Sequence, residues 1–128
     1  MKRLSDYTEK AITTLLEKYN GFFAFSVDQF NEGKKDGLKY VSRGAGLYHE
    51  AGKSKEFDKE YSQVVSKAME QDLKENGKEK IIDRELKNYE CYYTGEIDEA
   101  VRNLVDYGIT AEEVEKVYNK NVDNYEFF

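Results

Sequence analysis

The sequence predicts an α+β protein, a single and mostly helical domain over residues 1–128 with a small antiparallel sheet and a C-terminal helical hairpin. Apolar residues recur at three-and-four spacing through several long stretches, as they do on the buried face of a helix. Short aromatic or alternating segments near glycines are typical of strands instead. Hydrophobic residues make up 39% of the chain and charged residues 36%, a composition that favours a folded core over disorder.

The amino-terminal part begins with a predicted helix over about residues 5–20, which Asn20-Gly21 ends. The aromatic run 22–25 is too short for a helix, so it predicts a buried strand. Ser26 or Asp28 then has the side chain needed to cap a short helical turn.

A second strand is predicted over residues 38–42, and residues 47–49 continue or pair with it across Gly44-Ala45-Gly46. This arrangement would form a small antiparallel sheet. The longest helical pattern follows over residues 54–76, and a fourth helix covers about residues 81–89.

The carboxy-terminal part starts with residues 91–95, which interrupt the helical period and predict either a third strand or a tight loop. A helix over residues 97–105 follows. Thr110 with Glu113 three residues later is the pattern of a capping box, which begins the last helix. The apolar stripe of that helix is Val114, Val117, Tyr118, Val122 and Tyr125.

Composition also indicates where the protein is located and excludes some types of site. No apolar run approaches the roughly 18 to 20 residues that a membrane span needs, and no signal-type stretch follows Met1, so we expect a cytoplasmic protein without membrane contact. Cys91 is the only cysteine. The chain therefore cannot form an internal disulfide or a cysteine-type metal site.

The negative charge is concentrated at one end of the sequence. Residues 1–90 hold 17 acidic and 17 basic side chains, whereas residues 91–128 hold 9 and 3. Such a surface repels nucleic acid and attracts a basic protein, although acidic helix faces also serve solubility alone. Together with the 11 tyrosines, this charge predicts the following partner-binding residues. They are Asp98, Glu99, Asp106, Glu112, Glu113, Glu115, Tyr118 and Asp123.

A glycine-rich segment over residues 43–54 suggests an alternative site, for a small ligand or a nucleotide. It is not a phosphate-binding loop of Walker A type, because five residues instead of four separate Gly46 from Gly52-Lys53-Ser54. A hairpin turn is the simpler interpretation. The candidate ligand-binding residues of this alternative are Arg43, Gly44, Gly46, His49, Lys53 and Ser54.

No motif in the sequence predicts a catalytic residue, a metal site or a cofactor. His49 is the only histidine, and no Gly-x-Ser-x-Gly elbow or EF-hand loop occurs. We expect His49 to be a surface or half-buried side chain and Cys91 to be a buried thiol. The sequence thus favours a protein that is not an enzyme.

Three motifs of the sequence resemble a family of small uncharacterised proteins from phages and mobile elements of Gram-positive bacteria. They are Phe22-Phe23-Ala24-Phe25-Ser26 with Gln29-Phe30, Gly44-Ala45-Gly46, and Asn88-Tyr89-Glu90-Cys91-Tyr92-Tyr93-Thr94-Gly95. The resemblance covers about residues 15–108. Members of that family often carry histidine at the position of Tyr89, and this departure weakens an enzymatic interpretation further. The resemblance implies a phage or mobile-element origin, where short acidic proteins often inhibit host defence such as restriction or CRISPR nucleases.

The sequence as a whole predicts a phage-encoded inhibitor that works in the cytoplasm of a bacterial host. Its acidic residues would contact a basic, nucleic-acid-binding host protein, without direct contact to nucleic acid. Two alternatives remain open. One is the ligand-binding or nucleotide-sponge domain that uses residues 43–54, and the other is a structural or accessory phage protein that forms a homo-oligomer.

Overall fold

The computed structural model describes residues 1–124, and its contacts group into two compact units. The first, called here the amino-terminal unit, is residues 2–68. The second, the carboxy-terminal unit, is residues 69–128 together with Met1. That residues 1–128 form one domain stays a prediction.

The fold class is α+β, as predicted, with mostly helical structure and one small antiparallel sheet. The helices of the described residues are α1 Leu4–Lys18, α2 Val27–Gly33, α3 Ser54–Asn76, α4 Lys78–Asn88, α5 Cys91–Thr94, α6 Asp98–Leu104 and α7 Ala111–Asn121. The strands are β1 Phe22–Phe23, β2 Tyr40–Ser42 and β3 Leu47–Glu50. Short 3₁₀ segments cover Val105–Tyr107 and Val122–Asn124.

The sheet of the amino-terminal unit has the order β1-β3-β2, with both pairs antiparallel. The predicted hairpin across the glycines is confirmed, since Val41 lies opposite His49. The strand predicted over residues 22–25 is shorter than expected. Its ladder ends because the Phe25 N–H donates to Gln29 Oε1 at 2.7 Å, while Ser26 Oγ accepts from the Gln29 N–H at 3.2 Å and caps α2.

The turn between β2 and β3 explains the glycine-rich motif. The φ values of this turn are +85° at Gly44, +51° at Ala45 and +82° at Gly46. All three lie in the left-handed region, which glycine adopts without steric cost. At Gly46 a side chain would also collide, because a Cβ there would lie 2.4 Å from Cε1 of Phe25. The motif therefore serves a tight turn against an aromatic ring.

The core of the amino-terminal unit centres on Phe57 of α3. The edge of the Tyr19 ring packs against it with centroids 5.7 Å apart, and Leu15 is buried in the same cluster. His49 stacks on Phe57 at 4.5 Å and is 0% exposed. The expectation of a surface or half-buried histidine is therefore wrong, because the alternation of β3 turns His49 toward the core.

The buried imidazole of His49 has one hydrogen bond. Its Nδ1 lies 2.9 Å from the carbonyl oxygen of Glu50, to which it donates as Nδ1–H, whereas Nε2 has no partner among residues 1–124. This ring therefore contributes mainly as a packed, flat side chain.

The carboxy-terminal unit buries Ile81 and Leu86 of α4 together with Leu104 of α6 and Val114 of α7. The helical hairpin formed by α6 and α7 is as predicted. So is the capping box, since the Glu113 N–H donates to Thr110 Oγ1 at 3.2 Å. The last helix ends at Asn121, and Tyr125 of its predicted stripe lies outside the described residues.

The prediction for residues 91–95 is wrong, because Cys91–Thr94 is a helical turn and not a strand or a loop. Its carbonyl groups accept within the turn, as in the 2.8 Å bond from the Gly95 N–H to the Cys91 oxygen. Glu90 and Gly95 bracket the turn in left-handed conformations, with φ values of +54° and +80°. These left-handed residues interrupt the right-handed helical geometry on either side of α5.

We expect His49→Ala to lower the free energy of unfolding by about 3 kcal/mol, since it leaves a cavity beside Phe57. His49→Leu fills much of that space and loses one hydrogen bond, so its cost should be about 1 kcal/mol. Urea denaturation of both variants measures the difference. Equal costs for the two variants would contradict the packing role of the ring.

Candidate functional site

A buried polar network positions the helices of the carboxy-terminal unit. Asp72 of α3 is fully buried and accepts two hydrogen bonds from Arg84 of α4, at 3.0 Å from Nη2 and 3.2 Å from Nη1. The Tyr107 hydroxyl donates to the same carboxylate at 2.7 Å. Asn76 Nδ2 donates to it at 2.7 Å as well. One carboxylate thus joins α3, α4 and the segment before α7.

The hydrogen bonds of the network stabilise the ionised form of Asp72. Burial raises the pKa of Asp72, but hydrogen bonds from Arg84, Tyr107 and Asn76 lower that pKa by more, so it lies below its usual value. Burial and the neighbouring Asp72 carboxylate raise the pKa of Tyr107. Asp72 is therefore an ionised acceptor whose oxygens are already in use. Its role is structural.

Among the predicted partner-binding residues, Glu113 is the one engaged in an ion pair within the described part of the chain. Its carboxylate lies 3.0 Å from Lys78 Nζ and accepts from the Thr110 N–H at 3.1 Å. The Thr110 hydrogen bond and the lysine both lower the pKa of Glu113. This carboxylate serves the junction of α4 and α7, so it is not free for a partner.

The other predicted acids remain at the surface. They are Asp98, Glu99, Asp106, Glu112, Glu115 and Asp123. Asp98, Glu99 and Glu112 also lie in the first turns of α6 and α7, where negative charge stabilises the helix dipole. Two exposed lysines, Lys116 and Lys120, interrupt the acidic row along α7.

Tyr118 is half-buried, because its ring stacks on Tyr92 with centroids 5.6 Å apart and an angle of 8° between the planes. Tyr92 is itself buried and donates from its hydroxyl to Asp83 Oδ1 at 2.7 Å. This pair joins α5 to α7. Tyr118 therefore packs between the helices, and only part of its side chain is exposed.

Sequence reasoning missed a stretch of exposed residues just before the predicted acids. In residues 89–97, called here the acid-tyrosine segment, Tyr93 is 74% exposed and Tyr89 is also exposed. Glu90 and Glu96 are exposed in the same stretch, which runs directly into Asp98 and Glu99. The signal was the presence of three tyrosines and two glutamates within residues 89–96, which the expectation of a strand or loop at residues 91–95 hid.

The structure does not gather the alternative ligand-binding residues around one opening. Arg43 forms an ion pair with Asp58 and lies over the Phe57 ring at 5.9 Å. Gly44 and Gly46 form the turn at one end of β3, whereas Lys53 and Ser54 follow its other end at the start of α3. His49 is buried.

The remaining reactive groups are inaccessible or isolated. Cys91 is buried, and that burial raises the pKa of its thiol, which disfavours the reactive thiolate. Within residues 1–124, no group of three or more His, Cys, Asp or Glu side chains is arranged to hold a metal ion. None of the described helices combines the length and the apolar character needed to cross a bilayer.

Comparison with known proteins assigns the chain to a family. Residues 4–124 match DUF7659, a family of unknown function, and the chain belongs to that family. No curated protein and no solved structure matches the chain.

We expect the stability of the protein to depend on the ionisation of Asp72. Because the pKa of Asp72 is lower in the folded protein, its contribution is complete above its unfolded value of about 3.9 and disappears as the pH falls through the folded value. Asp72→Asn should therefore flatten the loss of stability below about pH 4. At pH 7 it should cost about 3 kcal/mol, since Arg84 is left buried without its partner.

Denaturant titrations of the wild type and Asp72→Asn from pH 2 to pH 7 test this dependence. Glu96→Gln, which neutralises an exposed carboxylate outside the helices, is the control and should follow the wild type. An acid profile of Asp72→Asn identical to that of the wild type would contradict the role of Asp72.

Proposed function

We propose that this protein is a non-enzymatic binding protein whose acidic carboxy-terminal unit contacts a basic partner protein. The observation that carries the proposal is the separation of charge between the two compact units. Residues 2–68 hold 12 basic and 10 acidic side chains, whereas residues 69–128 hold 8 and 16. The excess of carboxylates therefore coincides with a structural unit and is not spread over the chain.

The surface that supports this proposal is the acid-tyrosine segment together with the exposed acids of α6 and α7. Six of the seven predicted carboxylates are exposed, and within the described residues they have no ion pair of their own. Exposed tyrosines such as Tyr93 add apolar area with little entropy cost, and this residue type is enriched at interfaces. Carboxylates would steer a cationic partner, and the tyrosines would supply contact area.

The partner that fits best is a protein with a groove for nucleic acid. Such a groove carries lysine and arginine at the spacing of phosphates, and an acidic helical surface can occupy it in place of DNA or RNA. The resemblance to phage and mobile-element proteins suggests a host defence protein in the bacterial cytoplasm as the target. The same negative charge disfavours direct binding of this protein to nucleic acid.

An enzymatic function has less support. The one histidine is buried with a single hydrogen bond, and the one cysteine is buried with a raised thiol pKa. A nucleophile or a general base needs access to the substrate. The residues of the nucleotide-binding alternative face different ends of β3, so the acidic surface is the better candidate.

Reversing four exposed acids should strongly weaken partner binding. We expect the variant Asp98→Lys, Glu99→Lys, Asp106→Lys and Glu112→Lys to bind at least about 100-fold more weakly to the partner purified from host cells, because each lost charge pair costs about 1 kcal/mol. Isothermal titration calorimetry measures the affinity. The wild-type affinity should also fall as salt is raised from 50 to 300 mM, since exposed charges are screened.

The matched control reverses four exposed acids of the amino-terminal unit, Glu17→Lys, Asp28→Lys, Glu32→Lys and Asp36→Lys. This variant should bind like the wild type, which separates a local surface from an effect of net charge. Retained affinity in the four-fold variant, or an equal loss in the control, would reject the acidic surface as the binding site.

A further inference from the structure

A cavity of about 410 Å³ opens on the amino-terminal unit, between α1, α3 and the turn that joins β2 to β3. All of the residues that line it belong to this one compact unit. Its apolar wall consists of Ile12, Leu16, Phe23, Leu47, Phe57 and Tyr61. Pockets that hold small molecules usually have volumes of about 300 to 1,000 Å³ and mostly apolar walls. The cavity therefore has the size and character of a small-molecule site.

One ion pair lies beside this apolar wall. The guanidinium of Arg43 pairs with the carboxylate of Asp58 on α3, and both residues line the cavity. Among the described residues, these two are the charged side chains in its lining. A molecule that enters the cavity thus meets a positive and a negative group next to each other.

Arg43 is held by packing as well as by its ion pair. Its guanidinium carbon lies 5.9 Å from the centre of the Phe57 ring, and its side chain is 28% exposed. Its backbone N–H donates to the Leu47 carbonyl oxygen at 2.8 Å, which fixes the residue beside the β2–β3 turn. A guanidinium in a fixed position loses little conformational freedom when it binds a ligand.

Both charged groups have hydrogen-bonding capacity that the described residues do not use. A guanidinium has five N–H donors, and Arg43 donates from Nη2 to Asp58 Oδ1. Within residues 1–124, Nε and Nη1 of Arg43 have no acceptor, and Oδ2 of Asp58 has no donor. The pair can therefore bind an anionic group and a cationic group together while its own contact persists.

We propose that this cavity binds a free aromatic α-amino acid. The α-carboxylate of the ligand accepts from Arg43, its α-ammonium donates to Asp58, and its aromatic side chain lies against the apolar wall. The carboxylate and the ammonium of an α-amino acid are attached to one carbon atom, so their spacing suits the adjacent charges of an ion pair. The planar guanidinium also matches a carboxylate through two parallel hydrogen bonds.

The wall of the cavity favours an aromatic side chain on the ligand. The rings of Phe57 and Tyr61 are nearly parallel, with centroids 6.0 Å apart and 21° between their planes, and Phe23 supplies a third ring. Contacts between aromatic rings stabilise beyond the area that they bury. A charged side chain would instead lose its hydration against the apolar wall.

The electrostatics of the site favour a zwitterion over a molecule with one charge. A zwitterion has no net charge, so the net charge of −6 on the protein does not oppose its binding. An aromatic acid without an ammonium is repelled by Asp58, and an aromatic amine without a carboxylate is repelled by Arg43. This difference separates the proposed ligand from its singly charged analogues.

Titration of the isotope-labelled protein with L-tryptophan, followed by the amide chemical shifts, tests the proposal. We expect saturable shifts over residues 43–47 and 57–61, with a Kd on the order of 0.5 mM, as is usual for a ligand of this size. Indole-3-propionate lacks the ammonium, and tryptamine lacks the carboxylate. Each analogue should bind at least about 5-fold more weakly, because one charge pair is lost.

Two substitutions separate the contributions of the two charges. Arg43→Met keeps an unbranched apolar side chain and should weaken the binding of L-tryptophan at least about 5-fold. Asp58→Asn should weaken L-tryptophan similarly but bind indole-3-propionate at least as tightly as the wild type does, since a repulsive carboxylate is removed. Lys39→Met removes an exposed charge of the same unit outside the cavity and should bind L-tryptophan like the wild type. Circular dichroism checks that each variant is folded.

The proposal is overturned if the amides of the cavity show no saturable shift at about 10 mM L-tryptophan, where a site of the expected affinity is nearly full. Binding of indole-3-propionate or tryptamine as tight as that of L-tryptophan also overturns it, as does wild-type affinity in folded Arg43→Met. The variant with four reversed acids in the carboxy-terminal unit should bind L-tryptophan normally, because none of its substitutions lies in the cavity. The outcome here is therefore independent of the partner-binding experiment.

Discussion

The carboxylate of Asp72 is the constraint on which the carboxy-terminal unit depends. It is fully buried and accepts hydrogen bonds from Arg84, Tyr107 and Asn76, so removal of Arg84 would leave a buried charge without its partner. Tyr107 follows α6 directly and precedes the cap of α7. The network therefore ties the segment between α6 and α7 to α3 and α4, although its polar groups are already engaged with one another.

The acidic residues of this unit have different roles despite their common charge. Glu113 caps α7 and pairs with Lys78, whereas Glu90, Glu96 and Asp106 are exposed without such a task within the described residues. The carboxylates that stabilise the fold are those whose oxygens accept hydrogen bonds from nearby donors.

Features determined by neighbouring residues were predictable from the sequence. The box formed by Thr110 and Glu113 and the turn at Gly44 to Gly46 each depend on a few adjacent residues, and both are present. The Asp72 network was missed because Tyr107 lies 35 residues away in the chain. Asp72 follows Ala68 by four residues and therefore lies on the same, buried face of α3. This spacing indicated burial of Asp72, but a charged residue is not usually expected in a core. The burial of His49 likewise depends on α3, which packs against β3 through Phe57.

Hydrogen–deuterium exchange of the protein with and without its purified partner tests the central claim most directly. We expect slower exchange on binding in the acid-tyrosine segment and in α6 and α7, with little change over residues 43–54. Protection confined to residues 43–54, with α6 and α7 unchanged, would contradict the acidic surface as the site of binding.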